Sequence, residues 1–181
     1  EPLDESKEYV LEAIDPMCEF CAKQYRALKD ARVDDEYNLT YVLYPIKLPD
    51  GEYRFQNSQL IARYVETLKD YPQKNRDQGA DWLILREIFE NEEQQEDIKT
   101  LFTQEEVVEW VSDILRNDGF TDDEITEIEL AKESDEISER LLAQRKIVEE
   151  DIDTIRIPTL IIEGRRFDRF VDVERLESIK E

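Results

Sequence analysis

The stretch Glu8-Tyr-Val-Leu-Glu-Ala-Ile-Asp-Pro-Met-Cys-Glu-Phe-Cys21 decides how the rest of the chain is read. Its first half, Glu8 to Ile14, alternates as a strand does. Val10, Glu12 and Ile14 fall on one face; Leu11 and Ala13 fall on the other. Asp15-Pro16 ends the strand, because proline has no N–H to give to a ladder. Glu19 to about Ala31 then reads as a helix, with Phe20, Ala27 and Leu28 available for an apolar stripe. Cys18 and Cys21 therefore stand where a strand hands over to a helix. An i, i+3 spacing on a first helical turn brings two side chains within bonding reach. Free N–H groups and the helix dipole stabilise a thiolate at that end, and a thiolate is the attacking species in disulfide exchange. On this reading Cys18 is the exposed nucleophile and Cys21, one turn inward, resolves the mixed disulfide. Two plainer readings remain beside it. Half of a zinc site would need further ligands from carboxylates or from a second copy of the chain. Two merely buried thiols would not need a strand-to-helix junction.

Outward from this stretch, Leu39 to Tyr44 reads as a second strand, left through Pro45, Pro49 and Asp50-Gly51. From about Asn57 to Asp153 the apolar period turns helical. Leu60, Tyr64, Val65 and Leu68 share a face, and Tyr71-Pro72 stops that helix; Trp82, Leu85 and Phe89 mark another. Thr103 with Glu106, and Thr121 with Glu124, carry the capping-box pattern, and Asp118-Gly119 ends the helix between them. Ile137, Leu141, Val148 and Ile152 carry the helical spacing to the end of the block. These apolar positions read as core. Strands return at Pro158 to Ile162 and Arg166 to Val171, joined by Glu163-Gly164 as a hairpin. Val173, Leu176 and Ile179 have the spacing of a last short helix. The order is β-α-β, a helical block, then β-β-α.

Composition bounds the function. A chain of 181 residues suits one domain, or one domain carrying an insertion. With 47 acids against 24 bases the net charge is −23, so neither nucleic acid nor an anionic membrane is an expected partner. No run of 18 apolar residues exists, so no membrane insertion is expected. The stretch Glu1 to Glu8 is acidic and shows no basic-then-apolar signal segment. There is no histidine, which removes histidine-dependent triads and histidine zinc or haem sites. Only two cysteines are present, so this is no disulfide-stapled scaffold.

Val10-Leu-Glu-Ala-Ile-Asp-Pro-Met-Cys-Glu-Phe-Cys21 resembles the active-site segment of DsbA-like bacterial thiol–disulfide oxidoreductases. Ile157-Pro-Thr159 resembles the cis-proline loop of the same superfamily, followed by the hairpin and terminal helix found there. The resemblance implies an α/β fold: a thioredoxin fold (β-α-β … β-β-α) with a mixed central sheet and an inserted all-helical subdomain. Residues 5–56 and 154–181 would form the discontinuous thioredoxin-like domain, and 57–153 the insert. It implies that Pro158 shapes a groove and that the Ile157 backbone pairs with an extended substrate, beside Glu19 and Phe20. Without the resemblance, Pro158 reads as proline at the first residue of a strand.

Glu12 shares its strand face with Val10 and Ile14, where an acid is costly without a task or a partner. The resemblance places a buried proton-relaying acid here, joining Glu12 to Cys18 and Cys21 as a catalytic residue; the alternative is a solvent-facing glutamate on an edge strand. The family's strongest oxidants carry Pro-His between the cysteines, and this chain carries Glu19-Phe20. Loss of the histidine, and a carboxylate beside Cys18, should disfavour the thiolate and give a less oxidising couple. The resemblance further implies cysteine-containing protein substrates, a membrane or soluble redox partner that recycles the pair, no cofactor, no metal, a monomer and an exported location. A disulfide reductase, and a chaperone-like binding module on the same fold, are the alternative readings. Metal-mediated pairing of two CxxC motifs is a third.

Overall fold

The computed structural model describes residues 4, 6–75 and 79–179, so the expected domain limits at 5 and at 180–181 lie outside the described residues. β1 (Glu8–Ile14) leads through a buried turn into α1 (Glu19–Asp30), and a short 3-10 turn at Val33–Asp35 leads into β2 (Tyr37–Leu43). Helices follow: α2 (Ser58–Leu68), α3 (Asp81–Glu90), α4 (Glu92–Thr100), α5 (Gln104–Asp118), α6 (Asp122–Ala131) and α7 (Asp135–Lys146). The chain closes with β3 (Thr159–Ile162), β4 (Arg165–Asp168) and α8 (Val173–Ile179). The sheet runs β2-β1-β3-β4. β1 pairs parallel with β2 and antiparallel with β3, and β3 pairs antiparallel with β4. This is the expected mixed sheet, with β1 inside it.

The strand alternation read from the sequence matches the packing. Val10 joins Ala27 and Leu28 of α1, Leu160 and Ile162 of β3, and Leu176 of α8. Ala13 faces the other way, with Val42, Tyr44, Val148 and Ile152. Ile14 enters a third cluster, which holds Met17, Cys18, Cys21 and the inner faces of α2 to α6. The strand-to-helix turn therefore lies between the sheet and the helical block. Gln24 holds α1 in place: its amide donates to Val171 O at 3.2 Å and accepts from Val171 N at 2.7 Å.

Both capping boxes form, at Thr103 with Glu106 and at Thr121 with Glu124. Gly119 ends α5 at φ 103°, a conformation that favours glycine. Three elements differ from the sequence reading. α4 was not distinguished, because only Gln95 and Ile98 of it are buried and its apolar period is faint; Asn91 starts it by accepting from Gln94 N at 3.0 Å. The spacing through Val148 is carried by a π-turn at Ile147–Asp151 rather than by a continuing α-helix. β4 stops at Asp168; Arg169 turns to φ 79°, with its N–H still donating to Pro158 O at 2.8 Å. The Glu163-Gly164 turn has both residues at positive φ, which matches the twist of a two-residue hairpin. Among the described residues no helix is long and apolar enough to cross a membrane.

Candidate active site

The turn after β1 is built on Asp15. Its carboxylate is fully buried and accepts from Met17 N at 2.9 Å, Ile46 N at 2.8 Å and the Ser58 hydroxyl at 2.5 Å. Its carbonyl accepts from Cys18 N at 3.0 Å. One side chain thus ties the turn to the exit of β2 and to the first residue of α2. From the other side Gln95 of α4 donates to Pro16 O at 2.9 Å and to Cys18 O at 3.4 Å. Burial pushes the Asp15 carboxyl up from its ordinary value, and its three donors oppose that shift.

Cys18 is the N-cap of α1, in extended conformation, and Cys21 N and Ala22 N donate to its carbonyl at 3.0 and 3.1 Å. The expectation of an exposed Cys18 is corrected: it is only 6% exposed, and Cys21 is fully buried. The reason is the turn. Asp15 and Met17 are completely enclosed between sheet and helices, so the N-cap that follows them is recessed. What the motif shows to solvent is Glu19 and Phe20, the latter 49% exposed.

The two thiols are unlike. Cys18 is brought down to about 7, chiefly because the Cys21 thiol hydrogen-bonds its sulfur. Burial acts against this; the backbone N–H groups of Cys21 and Phe20 support it, and Asp15 opposes it by charge. The sulfur closes no regular capping hydrogen bond, so those N–H groups act as aligned dipoles at the helix start. Cys21 is pushed well above an ordinary thiol, by burial first and then by the hydrogen bond to Cys18, the charge on Cys18 and Glu12. The Glu19 carboxylate is exposed and lies 3.7 Å from Lys23 Nζ, and the acid that works against the Cys18 thiolate by charge is Asp15.

Glu12 lies inside the sheet rather than on its edge and is 7% exposed. Its Oε1 is buried without a hydrogen-bond partner among the described residues. Burial, and then the charge of Cys18, push its carboxyl well above the ordinary value. The peptide bond Ile157–Pro158 is cis, and Pro158 is buried. Ile157 packs against the cluster that holds both cysteines. Pro158 O accepts from Arg169 N at 2.8 Å, and Thr159 stands opposite Ala13 in the register, so this loop sits at the same end of the sheet as the turn.

The fold thus brings Cys18, Cys21, Glu12 and Ile157-Pro158 to one end of the sheet, with Glu19 and Phe20 at the surface beside them. Sequence reasoning missed Asp15, Ser58 and Gln95. Asp15 had a signal, an acid just before a proline between a buried strand and a helix, and was read only as the strand's end. Ser58 and Gln95 had none, because their partners are far away in sequence. Among the described residues no group of three Cys, Asp or Glu side chains converges to hold a metal ion.

No protein-family model matches the chain, and no curated protein matches it significantly. Solved structures do match. The chain is similar to the thiol-disulfide exchange protein alpha-DsbA2 from Wolbachia pipientis, with 17% identity, TM-score 0.62, and 98% of this chain and 82% of that one covered. It is similar to a putative protein-disulfide isomerase from Pseudomonas syringae, with 14% identity, TM-score 0.65, and 96% and 93% covered. It is similar to MdbA, a thiol-disulfide oxidoreductase from Corynebacterium diphtheriae, with 13% identity, TM-score 0.64, and 91% and 79% covered. At these identities the likeness is one of fold, and it extends over nearly the whole chain. The fold is the thioredoxin fold in its DsbA-like form, a mixed sheet carrying a helical insertion.

Proposed function

We propose that this chain is a protein thiol–disulfide oxidoreductase acting through Cys18 and Cys21. The observation that carries the reading is the inequality of the two thiols: Cys18, at a helix start, is brought down to about 7, while Cys21 directly behind it is held protonated. Near neutral pH a large share of Cys18 is thiolate, and Cys21 is not. In the reducing direction the Cys18 thiolate attacks one sulfur of a substrate disulfide. That S–S bond breaks, a mixed disulfide forms, and the other substrate sulfur leaves as a thiolate. Cys21 then gives its proton to the Glu12 carboxylate and attacks the Cys18 sulfur. The mixed disulfide breaks, the Cys18–Cys21 bond forms, and the second substrate thiolate leaves. Two electrons pass from the cysteine pair to the substrate, and solvent and Glu12 return the protons. The reverse sequence oxidises a substrate dithiol.

Glu12 suits the proton transfer because it is adjacent in charge to Cys18 and Cys21 and has an oxygen with no other engagement. Ile157 and Pro158 form the floor against which a substrate cysteine lies, with Glu19 and Phe20 at its rim. A thiol near 7 resembles the thioredoxin nucleophile, at about 7, more than that of the strongest oxidants, at about 3.5. This supports a couple less oxidising than the Pro-His type, whose potential is about −120 mV. Cysteine-containing proteins are the substrates, a separate redox protein recycles the pair, and the working state is an exported monomer. The test is exchange with a disulfide-bonded peptide, together with the equilibrium of the pair against glutathione. Cys18→Ser abolishes exchange, and Cys21→Ser accumulates the mixed disulfide. Exchange that survives Cys18→Ser sinks the reading, and a potential as high as that of the Pro-His type removes the assigned direction.

A further inference from the structure

The loop that faces the cysteine pair carries arginines in a strongly acidic molecule. Arg156 stands two residues before Pro158, and the Arg169 N–H donates to Pro158 O at 2.8 Å. Both side chains are exposed, and among the described residues neither guanidinium has an ion-pair or hydrogen-bond partner. Acids outnumber bases by 47 to 24, and Arg63, Arg116, Arg140 and Arg145 are each paired with a carboxylate, although Arg165 on the same hairpin makes no ion pair among the described residues either. The carboxylates nearest Arg169 in sequence are engaged elsewhere, Asp168 with Arg166 Nε at 3.3 Å and Asp172 with the Arg175 N–H at 3.0 Å, and Asp153, three residues before Arg156, makes no ion pair with it. Arg169 also sits at φ 79°. A residue with a Cβ is strained in that conformation and glycine is not. An arginine kept there, unpaired, against the carbonyl of Pro158 is unexplained by packing.

Exposed apolar side chains accompany these charges: Ile155 is 77% exposed, Phe170 42% and Phe20 49%. The end of the sheet that holds the cysteine pair therefore offers two cations and apolar surface together, with Glu19 beside them 3.7 Å from Lys23 Nζ, while the molecule as a whole is acidic. A guanidinium is the side chain best matched to a carboxylate.

We propose that Arg156 and Arg169 make the surface beside Pro158 a docking site for an extended peptide carrying Asp or Glu next to its reactive cysteine. The inference rests on the function proposed above and adds a substrate class to it. Apolar residues of the peptide lie on Ile155, Phe170 and Phe20. The net negative charge of the enzyme repels acidic proteins at long range, so recognition is local: it depends on the two arginines and is screened by salt.

The test uses two peptides, each closed by one disulfide and differing only in whether Asp and Glu or Lys and Arg flank the cysteines. Their reduction by the reduced protein is measured, and each rate is divided by the same variant's rate with 2-hydroxyethyl disulfide, which is linear and uncharged. The acidic peptide is expected to react about fivefold faster, a ratio that two exposed ion pairs supply. The ratio should fall towards one at about 1 M salt, where the Debye length is about 3 Å. The double variant Arg156→Glu, Arg169→Glu should favour the basic peptide, and Arg156→Lys, Arg169→Lys should keep the original sign. Equal rates for the two peptides in the parent, or an unchanged preference in the double glutamate variant, overturn the docking site and leave the oxidoreductase reading standing. Reaction with 2-hydroxyethyl disulfide but with neither peptide overturns the protein-substrate reading and the docking site with it.

Discussion

Glu12 and Asp15 lie on the same segment, both removed from water, yet their surroundings differ. Asp15 receives three donors, from Met17, Ile46 and Ser58. Glu12 has an oxygen with none among the described residues. The cost of burying a carboxylate is large unless hydrogen bonds replace water. At Asp15 they do, so the acid works as a tie between the turn, the exit of β2 and α2. Burial raises the proton affinity of both acids, but at Asp15 the three donors oppose the rise, while at Glu12 none does and the rise is large. Burial alone separates neither role from the other; the donors do.

The comparison can be broken at several points. Asp15→Ala should cost about 3 kcal/mol, roughly 10 °C in midpoint for a domain of this size, because buried donors lose their acceptor. Denaturant unfolding measures it, and a variant as stable as the parent would show that the three bonds carry nothing. Glu12→Gln should slow the release of substrate from the mixed disulfide by about 10²-fold, the lower range for a positioned proton acceptor. Stopped-flow release at neutral pH checks this, and an unchanged rate removes Glu12 from the mechanism.

The folded-state value of Glu12 is raised, so the stability it contributes is present below its unfolded value and lost as pH rises through the folded one. Glu12→Gln has no such loss. Its stability relative to the parent should therefore grow as pH rises from the ordinary glutamate value towards the raised folded-state one. A constant difference over that window would mean that the carboxyl does not titrate there. The last two effects are on Cys18. Cys21→Ala should raise its titration from about 7 towards the ordinary 9.0, since the Cys21 thiol is the main cause of the lowering. Asp15→Asn should lower it by a smaller amount, since Asp15 opposes the thiolate only weakly. Thiolate absorbance followed against pH measures both. A larger effect from Asp15 than from Cys21 would reverse the assignment of causes.

Glu12 was legible in the sequence because strand alternation put an acid among apolar residues. The cysteine pair was legible because its spacing and its place at a helix start are local facts. The same holds for the capping boxes at Thr103 and Thr121 and for the Glu163-Gly164 turn. α4 was not, because its stability comes from docking Gln95 and Ile98 rather than from an apolar stripe of its own.

By itself the sequence determined the order of the strands and of the helices other than α4, the face on which Glu12 lies and the junction that holds Cys18 and Cys21. All three follow from interactions within a few residues: alternation, helix spacing and caps. Only the tertiary structure decided how deep that junction lies. Cys18 is recessed because Asp15 draws together groups from the exit of β2 and from α2, while α4 reaches in through Gln95. It also decided which acid acts on the nucleophile, since charge acts through space: adjacent Glu19 faces water and Lys23, and the enclosed Asp15 is the acid that opposes the thiolate.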